Sequence, residues 1–194
     1  VSVQDEAAQL AMSLLDLKPG FRVLDACAAP GGKAAHLLET MELSLDALEL
    51  DPLRAEKIRE NLERLNLKAR VLVGDASLDN WWDGQLYDAI IADVPCSASG
   101  IVRRHPDIPY LRREEDIARL QKIQRQILQS LWNKLKPGGE LLYVTCSVFP
   151  EEGEDQAIWW LNKTNDAVRL QAPGQILPGE AHDGFFYARL RKRS

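Results

Sequence analysis

Seven apolar runs of strand length, at 22–26, 45–50, 69–74, 87–93, 140–145, 167–170 and 185–190, recur along the chain with helical stretches between them. Such alternation commits a chain to an α/β fold with a largely parallel sheet, because parallel neighbours need a crossover and the crossover is usually a helix. Helical periodicity is clearest over 114–135, where Ile117, Leu120, Ile123, Ile127, Leu131 and Leu135 recur at steps of three or four. Asp51 as N-cap and Pro52 at the first helical position open a second helix, with Leu53, Ile58, Leu62 and Leu65 as its apolar stripe. Pro137-Gly138-Gly139 stops the long helix and turns the chain into the fifth strand. The segment 171–183, with prolines and glycines throughout, reads as a loop within the domain. Asp46 is unusual for a buried parallel strand and marks its element as an edge or irregular.

A chain of 194 residues, 45% hydrophobic and 27% charged, fits one domain over 1–194. A domain of this size buries roughly 70% of its unfolded surface and needs no staples. Its three cysteines, Cys27, Cys96 and Cys146, are far apart and odd in number. Neither a disulfide framework nor a metal site with closely spaced ligands is readable, and a reducing cytoplasm is the expected setting. No apolar run approaches a membrane span, and Val1-Ser-Val-Gln-Asp5 lacks the basic and apolar regions of a leader. Because the chain opens on Val1 rather than Met, it is expected to be a fragment of a longer protein.

The net charge of −5 argues against a generic nucleic-acid coat, which needs clustered Lys and Arg facing phosphates. Two local clusters remain. Arg103, Arg104 and His105 with Arg112 and Arg113 form a candidate phosphate-contacting patch, while Arg189, Arg191, Lys192 and Arg193 read more readily as solvated surface charge.

Directly after the first run comes Asp25-Ala-Cys-Ala-Ala-Pro-Gly-Gly-Lys33, leading into a helix. Small residues let a backbone approach a ligand, and the free amides of a helix start favour an anionic group. A phosphate-cradling P-loop would need glycine at position 27 and Ser or Thr at 34, where this chain has Cys27 and Ala34. The dinucleotide fingerprint is also absent. S-adenosylmethionine remains, since its carboxylate needs amides rather than a pyrophosphate cradle. Glu49, ending the second run, is placed for ribose hydroxyls, and Asp75, after the third, for the adenine amino group.

Cys96 in Asp93-Val-Pro-Cys96 and Cys146 in Tyr143-Val-Thr-Cys146 both follow strand ends on the cofactor side. Methyl transfer to oxygen, nitrogen or activated carbon has no use for a thiol. Pyrimidine C5 does: it becomes nucleophilic only once a thiolate adds at C6. A nearby acid must then hydrogen-bond N3 of the charged ring, and Asp93 is the candidate. Lys33 is a candidate for electrostatic support of a thiolate, and Cys27 reads as a small buried hydrophobe.

Ala28-Ala-Pro-Gly-Gly-Lys33, Asp93-x-Pro-Cys-Ser97 and Thr145-Cys-Ser147 together resemble the signatures of the RNA cytosine-C5 methyltransferases. Gln4-Asp5, Gly100-x-x-Arg-Arg-His-Pro-Asp107, Pro150-Glu-Glu152 and Asp183-Gly-Phe-Phe186 resemble, within that family, the bacterial small-subunit rRNA branch. The resemblance covers essentially the whole chain. It implies a Rossmann-like methyltransferase fold, a mostly parallel seven-stranded sheet with helices on both faces. It implies Cys146 as nucleophile and Cys96 as the thiol that assists adduct breakdown. Cofactor contacts carried over are Cys27, Ala28, Ala29, Pro30, Gly31, Gly32, Lys33, Glu49, Asp75 and Asp93. Relatives commonly have aspartate where this chain has Glu49. The implied cofactor is S-adenosylmethionine and the implied partner is RNA, 16S rRNA foremost, met by Arg103, Arg104, His105, Arg112 and Arg113. Full-length relatives carry an N-terminal RNA-binding domain that nothing in this chain resembles. The competing readings are the same chemistry on tRNA or another rRNA site, and an idle RNA- or cofactor-binding module, against which both thiols argue. An NAD-dependent oxidoreductase is the least favoured because its glycine fingerprint is missing.

Overall fold

A computed structural model describes residues 3–194; Val1 and Ser2, which open the stretch searched for a leader, lie outside the described residues. All seven apolar runs form strands: β1 (Arg22–Ala26), β2 (Ser44–Glu49), β3 (Arg70–Val73), β4 (Tyr87–Asp93), β5 (Leu135–Thr145), β6 (Ala167–Ile176) and β7 (Phe185–Lys192). They hydrogen-bond in the order β3-β2-β1-β4-β5-β7-β6. The first five are parallel, and β7 runs antiparallel to both β5 and β6. Chain order runs one way from β1 to β3 and the other way from β4 to β5. That reversal opens a crevice beyond the carboxyl ends of β1 and β4, where such sheets bind ligands.

The helices are α1 (Glu6–Ser13), α2 (Gly32–Thr40), α3 (Pro52–Arg64), α4 (Ile108–Leu111), α5 (Glu114–Asn133) and α6 (Glu154–Lys163). On one face of the sheet Leu24, Ile90 and Leu141 pack with Ile127 and Leu131 of α5 and Trp160 of α6. On the other, Val23, Ile91 and Leu142 pack with Ala11 of α1, Leu37 of α2 and Ile58 of α3. Successive strand residues point to opposite faces, so a sheet covered twice needs runs that are apolar without interruption.

Four details differ from the sequence expectations. Leu53 is 79% exposed and Ala55 is buried in its place. Five residues of helix turn Leu53 well away from Ile58, whereas Ala55, Ile58 and Leu62 follow steps of three and four. The long helix ends at Asn133, and Leu135 already pairs with Tyr87. The Pro-Gly-Gly run lies inside β5 as an irregularity between the pairs at Tyr87 and Ala89, not ahead of the strand. Residues 171–176 continue β6 across a register shift between Leu170 and Gly174. Pro173 is tolerated there because β6 is the sheet's edge strand. Finally, β2 is an interior strand. Asp46 is buried because Arg22, Arg70 and the Tyr87 hydroxyl all donate to it, at 2.9, 2.6 and 2.7 Å. Burial opposes its charge, yet these donors hold its carboxyl below the usual range.

Candidate active site

The carboxyl ends of neighbouring strands present the expected residues in spatial order: Asp75 after β3, Glu49 ending β2, the 27–33 loop after β1, Asp93 and Cys96 after β4, and Cys146 after β5. A cleft of about 710 Å³ is lined by Cys27, Lys33, Glu49, Asp75, Asp93 and both Cys96 and Cys146, among others. A smaller hollow of about 350 Å³ shares Ala29, Pro30, Lys33, Asp93 and Arg104 with it and extends to Asp25 and Gln4.

The loop after β1 makes its turn with Cys27 at φ 60° and Gly31 at φ 99°. A side chain at Gly31 would be strained at that φ, and its Cβ would sit 3.2 Å from Ile58 Cγ2. Gly32 then starts α2, and Lys33 projects from the first turn. The Glu49 carboxylate ties this loop to β2. Its Oε1 accepts the Leu50 and Asp51 amides, and its Oε2 accepts only the Ala29 amide, which leaves lone-pair capacity there for a ligand hydroxyl. Arg54 adds a 3.4 Å ion pair to Oε1. Asp75 spends Oδ1 on the amide and hydroxyl of Ser77, a local turn bond.

Asp25, the last-but-one residue of β1, is a functional candidate that the sequence reading left unassigned. Its side chain is buried, and among the described residues neither carboxylate oxygen has a partner within full hydrogen-bonding geometry, the Ala34 amide being the nearest to act on it. Burial, opposed by Lys33, pushes its pKa up to about 7. An acid closing an apolar strand just before a glycine-rich loop was the signal available in the sequence.

The two cysteines meet. Their sulfurs lie 3.3 Å apart, bringing together residues fifty positions distant in the chain. Serines lace their loops: Ser147 Oγ lies 3.2 Å from Ser97 Oγ and 3.1 Å from Ser99 Oγ. Backbones complete the lacing, as Gly100 N–H donates to the Cys146 carbonyl and Gly184 N–H to that of Gly100. Lys33 Nζ donates to Asp93 Oδ2 at 2.6 Å. Burial works against the Lys33 ammonium, but Asp93, Asp25 and Cys146 outweigh it and hold Lys33 above the ordinary lysine value. Arg104, raised chiefly by its bond to Asp183, also feels Cys146. Two cations therefore face Cys146. Cys96 differs: its hydrogen bond with Cys146, burial and the Glu152 carboxylate push its thiol well above the usual range. Burial does the same to Cys27, whose sulfur thus stays a neutral thiol.

The first basic patch is divided. Arg104 donates to buried Asp183 at 2.7 Å, Arg103 lies 3.6 Å from Asp5, and Arg112 donates to the Ser97 carbonyl at 2.8 Å. All five residues are exposed, the ion-paired Arg103 and Arg104 included. In the second patch, Arg189 and Arg191 are taken up by Glu140 and Asp16. Lys192 Nζ donates to the carbonyls of Trp132 and Leu135.

Solved structures share this fold. The crystal structure of PH0851 matches 98% of the chain with a TM-score of 0.93 at 35% identity, over 47% of its own length. That of NSun6 from Pyrococcus horikoshii with SFG matches 98% with a TM-score of 0.85 at 26% identity, over 53% of its length. The fold is that of the Rossmann-like S-adenosylmethionine-dependent methyltransferases. Residues 12–191 match the family described as 16S rRNA methyltransferase RsmB/F, and the chain belongs to that family. Ribosomal RNA small subunit methyltransferase B of Vibrio cholerae is 52% identical over the whole chain, and that of Shewanella oneidensis 50% identical over 98% of it. The chain spans about half the length of these relatives, 46% and 47%.

Proposed function

We propose that this chain is the catalytic domain of an RNA cytosine-C5 methyltransferase acting on 16S rRNA, with S-adenosylmethionine as methyl donor. The observation that carries the reading is the contact of two thiols, 3.3 Å apart, inside the crevice at the carboxyl ends of the strands. The buried, donorless carboxylate of Asp25 fits the cofactor's ammonium group, Oε2 of Glu49 its ribose, and the amides of the 28–33 loop its carboxylate. Asp75 Oδ2 is the acceptor for the adenine amine. Bound there, the cofactor supplies an electrophilic methyl group to a carbon nucleophile.

The chain's own residues make that nucleophile. Cys146, facing Lys33 and Arg104, adds as thiolate to C6, and the displaced electron pair builds up at C5. Asp93 is assigned to the ring edge, where it hydrogen-bonds N3 through a proton shared between them, and the Lys33 ammonium beside it offsets the charge growing there. After methylation the C5 proton leaves to solvent and its electron pair restores the C5–C6 double bond. The C6–S bond breaks with its pair returning to Cys146, next to the Cys96 thiol. The reaction belongs in the cytoplasm, where thiols stay reduced. Among the described residues no helix is long and apolar enough to cross a membrane.

The test is a denaturing gel of each cysteine variant incubated with rRNA substrate and cofactor. Cys96→Ala should accumulate a slow-migrating protein–RNA adduct, and Cys146→Ala should form none and lose methylation. The reverse pattern would make Cys96 the nucleophile. Intact methylation in both, with no adduct, would sink covalent catalysis.

A further inference from the structure

Cys96 is held by a buried polar group that the reaction scheme leaves unused. Glu152 is fully buried, and both its carboxylate oxygens accept the Ser97 amide, at 2.9 and 3.2 Å. Gln124 of α5, equally buried, donates from one nitrogen to Glu152 Oε1 and to the Pro95 carbonyl, at 3.0 Å each. The peptide groups on both sides of Cys96 are therefore pinned, one by each residue. Tyr143 closes the network through its hydroxyl, which lies 2.9 Å from the Glu152 carbonyl and 3.3 Å from Gln124 Oε1. Among the described residues no cation forms a salt bridge with Glu152, and a buried charge without a partner acts strongly on its neighbours.

The charges around the thiol pair are thus lopsided. Lys33 and Arg104 act on Cys146. Cys96 faces the Cys146 sulfur, the Glu152 carboxylate and, within its own loop, the Ala98 amide, which works in the opposite sense. The Tyr143 phenol, itself pushed far up by burial, adds no charge.

We propose that Glu152 and Gln124 are positioning residues for Cys96: between them they fix both flanking peptides, and Glu152 places its carboxylate behind that cysteine, where it disfavours a thiolate. Glu152 then adds to the larger effects of the Cys146 hydrogen bond and burial in keeping Cys96 neutral. This rests on the covalent reading only for its consequence in the reaction, since the thiol asymmetry exists without RNA.

The experiment measures iodoacetamide alkylation of Cys96 against pH by peptide mass spectrometry, in Cys146→Ala with and without Glu152→Gln. Cys27 is the internal reference. Glutamine keeps an oxygen for the Ser97 amide and removes the charge. Cys96 should alkylate about tenfold faster in the Glu152→Gln chain near pH 8, with the midpoint moved down and the Cys27 profile unchanged. Coincident Cys96 profiles in two folded chains would overturn the proposal. Should Glu152→Gln not fold, Gln124→Leu frees the Pro95 carbonyl while leaving the carboxylate. Its RNA adduct should then persist on a denaturing gel as that of Cys96→Ala does, and clearance at the parent rate would overturn the proposal. If Cys96→Ala itself clears its adduct, the covalent reading has failed, and the alkylation profiles still decide the role of Glu152.

Discussion

A carboxyl group in the interior without a donor costs folding free energy whenever it is charged, and Asp25 is placed that way. Its folded pKa of about 7 lies above the unfolded value of 3.8. The folded chain therefore binds the extra proton, so the stability linked to Asp25 is fully present below about pH 4. It is lost as pH rises through about 7, by up to roughly 4 kcal/mol. Asp25→Asn should remove this dependence, so that without cofactor the variant melts higher than the parent near pH 8 and equally near pH 4. If Asp25 meets the cofactor's ammonium, the same substitution should weaken cofactor binding by roughly 10- to 100-fold, the worth of a charge-assisted hydrogen bond. Calorimetry and melting curves read both effects. Unchanged affinity in the folded variant would remove Asp25 from the site.

Three chain segments converge behind Cys146, and the element that lets them do so is Gly100. Its amide and carbonyl are both used, toward Cys146 and Gly184, and a Cβ there would lie 2.3 Å from the Gly184 oxygen and 2.9 Å from that of Cys146. Both obstacles are backbone, so the loops themselves must separate. Gly100→Ala should cost about 1–3 kcal/mol in denaturant unfolding and slow adduct formation, because the moved carbonyl belongs to the proposed nucleophile. Normal adduct formation at parental stability would show that these loops are not coupled through Gly100. The strands that carry the loops were legible because a sheet covered on both faces needs unbroken apolar runs, and the strand-end residues could be placed once the order of crossovers was clear. What pairing decides was less legible. Asp46 reads as an anomaly until Arg22, Arg70 and Tyr87, from three other strands, are brought against it. The 171–176 segment reads as loop because its ladder to β7 resumes only after a register shift. Glu152 stands out only as part of Pro150-Glu-Glu152, with no role attached, and Gln124 not at all, since their partners Ser97 and Pro95 lie 55 and 29 residues away.

At the scale of the whole molecule, charge is the limiting quantity for a domain proposed to act on RNA. The net charge is −5, and much of the positive charge is already committed internally: Arg22 and Arg70 to Asp46, Arg103 and Arg104 to Asp5 and Asp183, Arg189 and Arg191 to Glu140 and Asp16. Each guanidinium held this way is less available to neutralise phosphate, and non-specific RNA affinity scales with the number of phosphates neutralised. The proposed cofactor cleft, by contrast, is lined by the strand-end residues of this chain. Cofactor binding and RNA binding should therefore separate. This chain should bind S-adenosylmethionine in calorimetry, whereas its single-turnover methylation of rRNA should be weak at physiological salt and recover when salt is lowered. A full-length relative such as the Vibrio cholerae protein, of which this chain spans 46%, should methylate under both conditions if its additional part supplies phosphate contacts. Efficient methylation by this chain at physiological salt would mean that His105, Arg113 and the ion-paired arginines suffice.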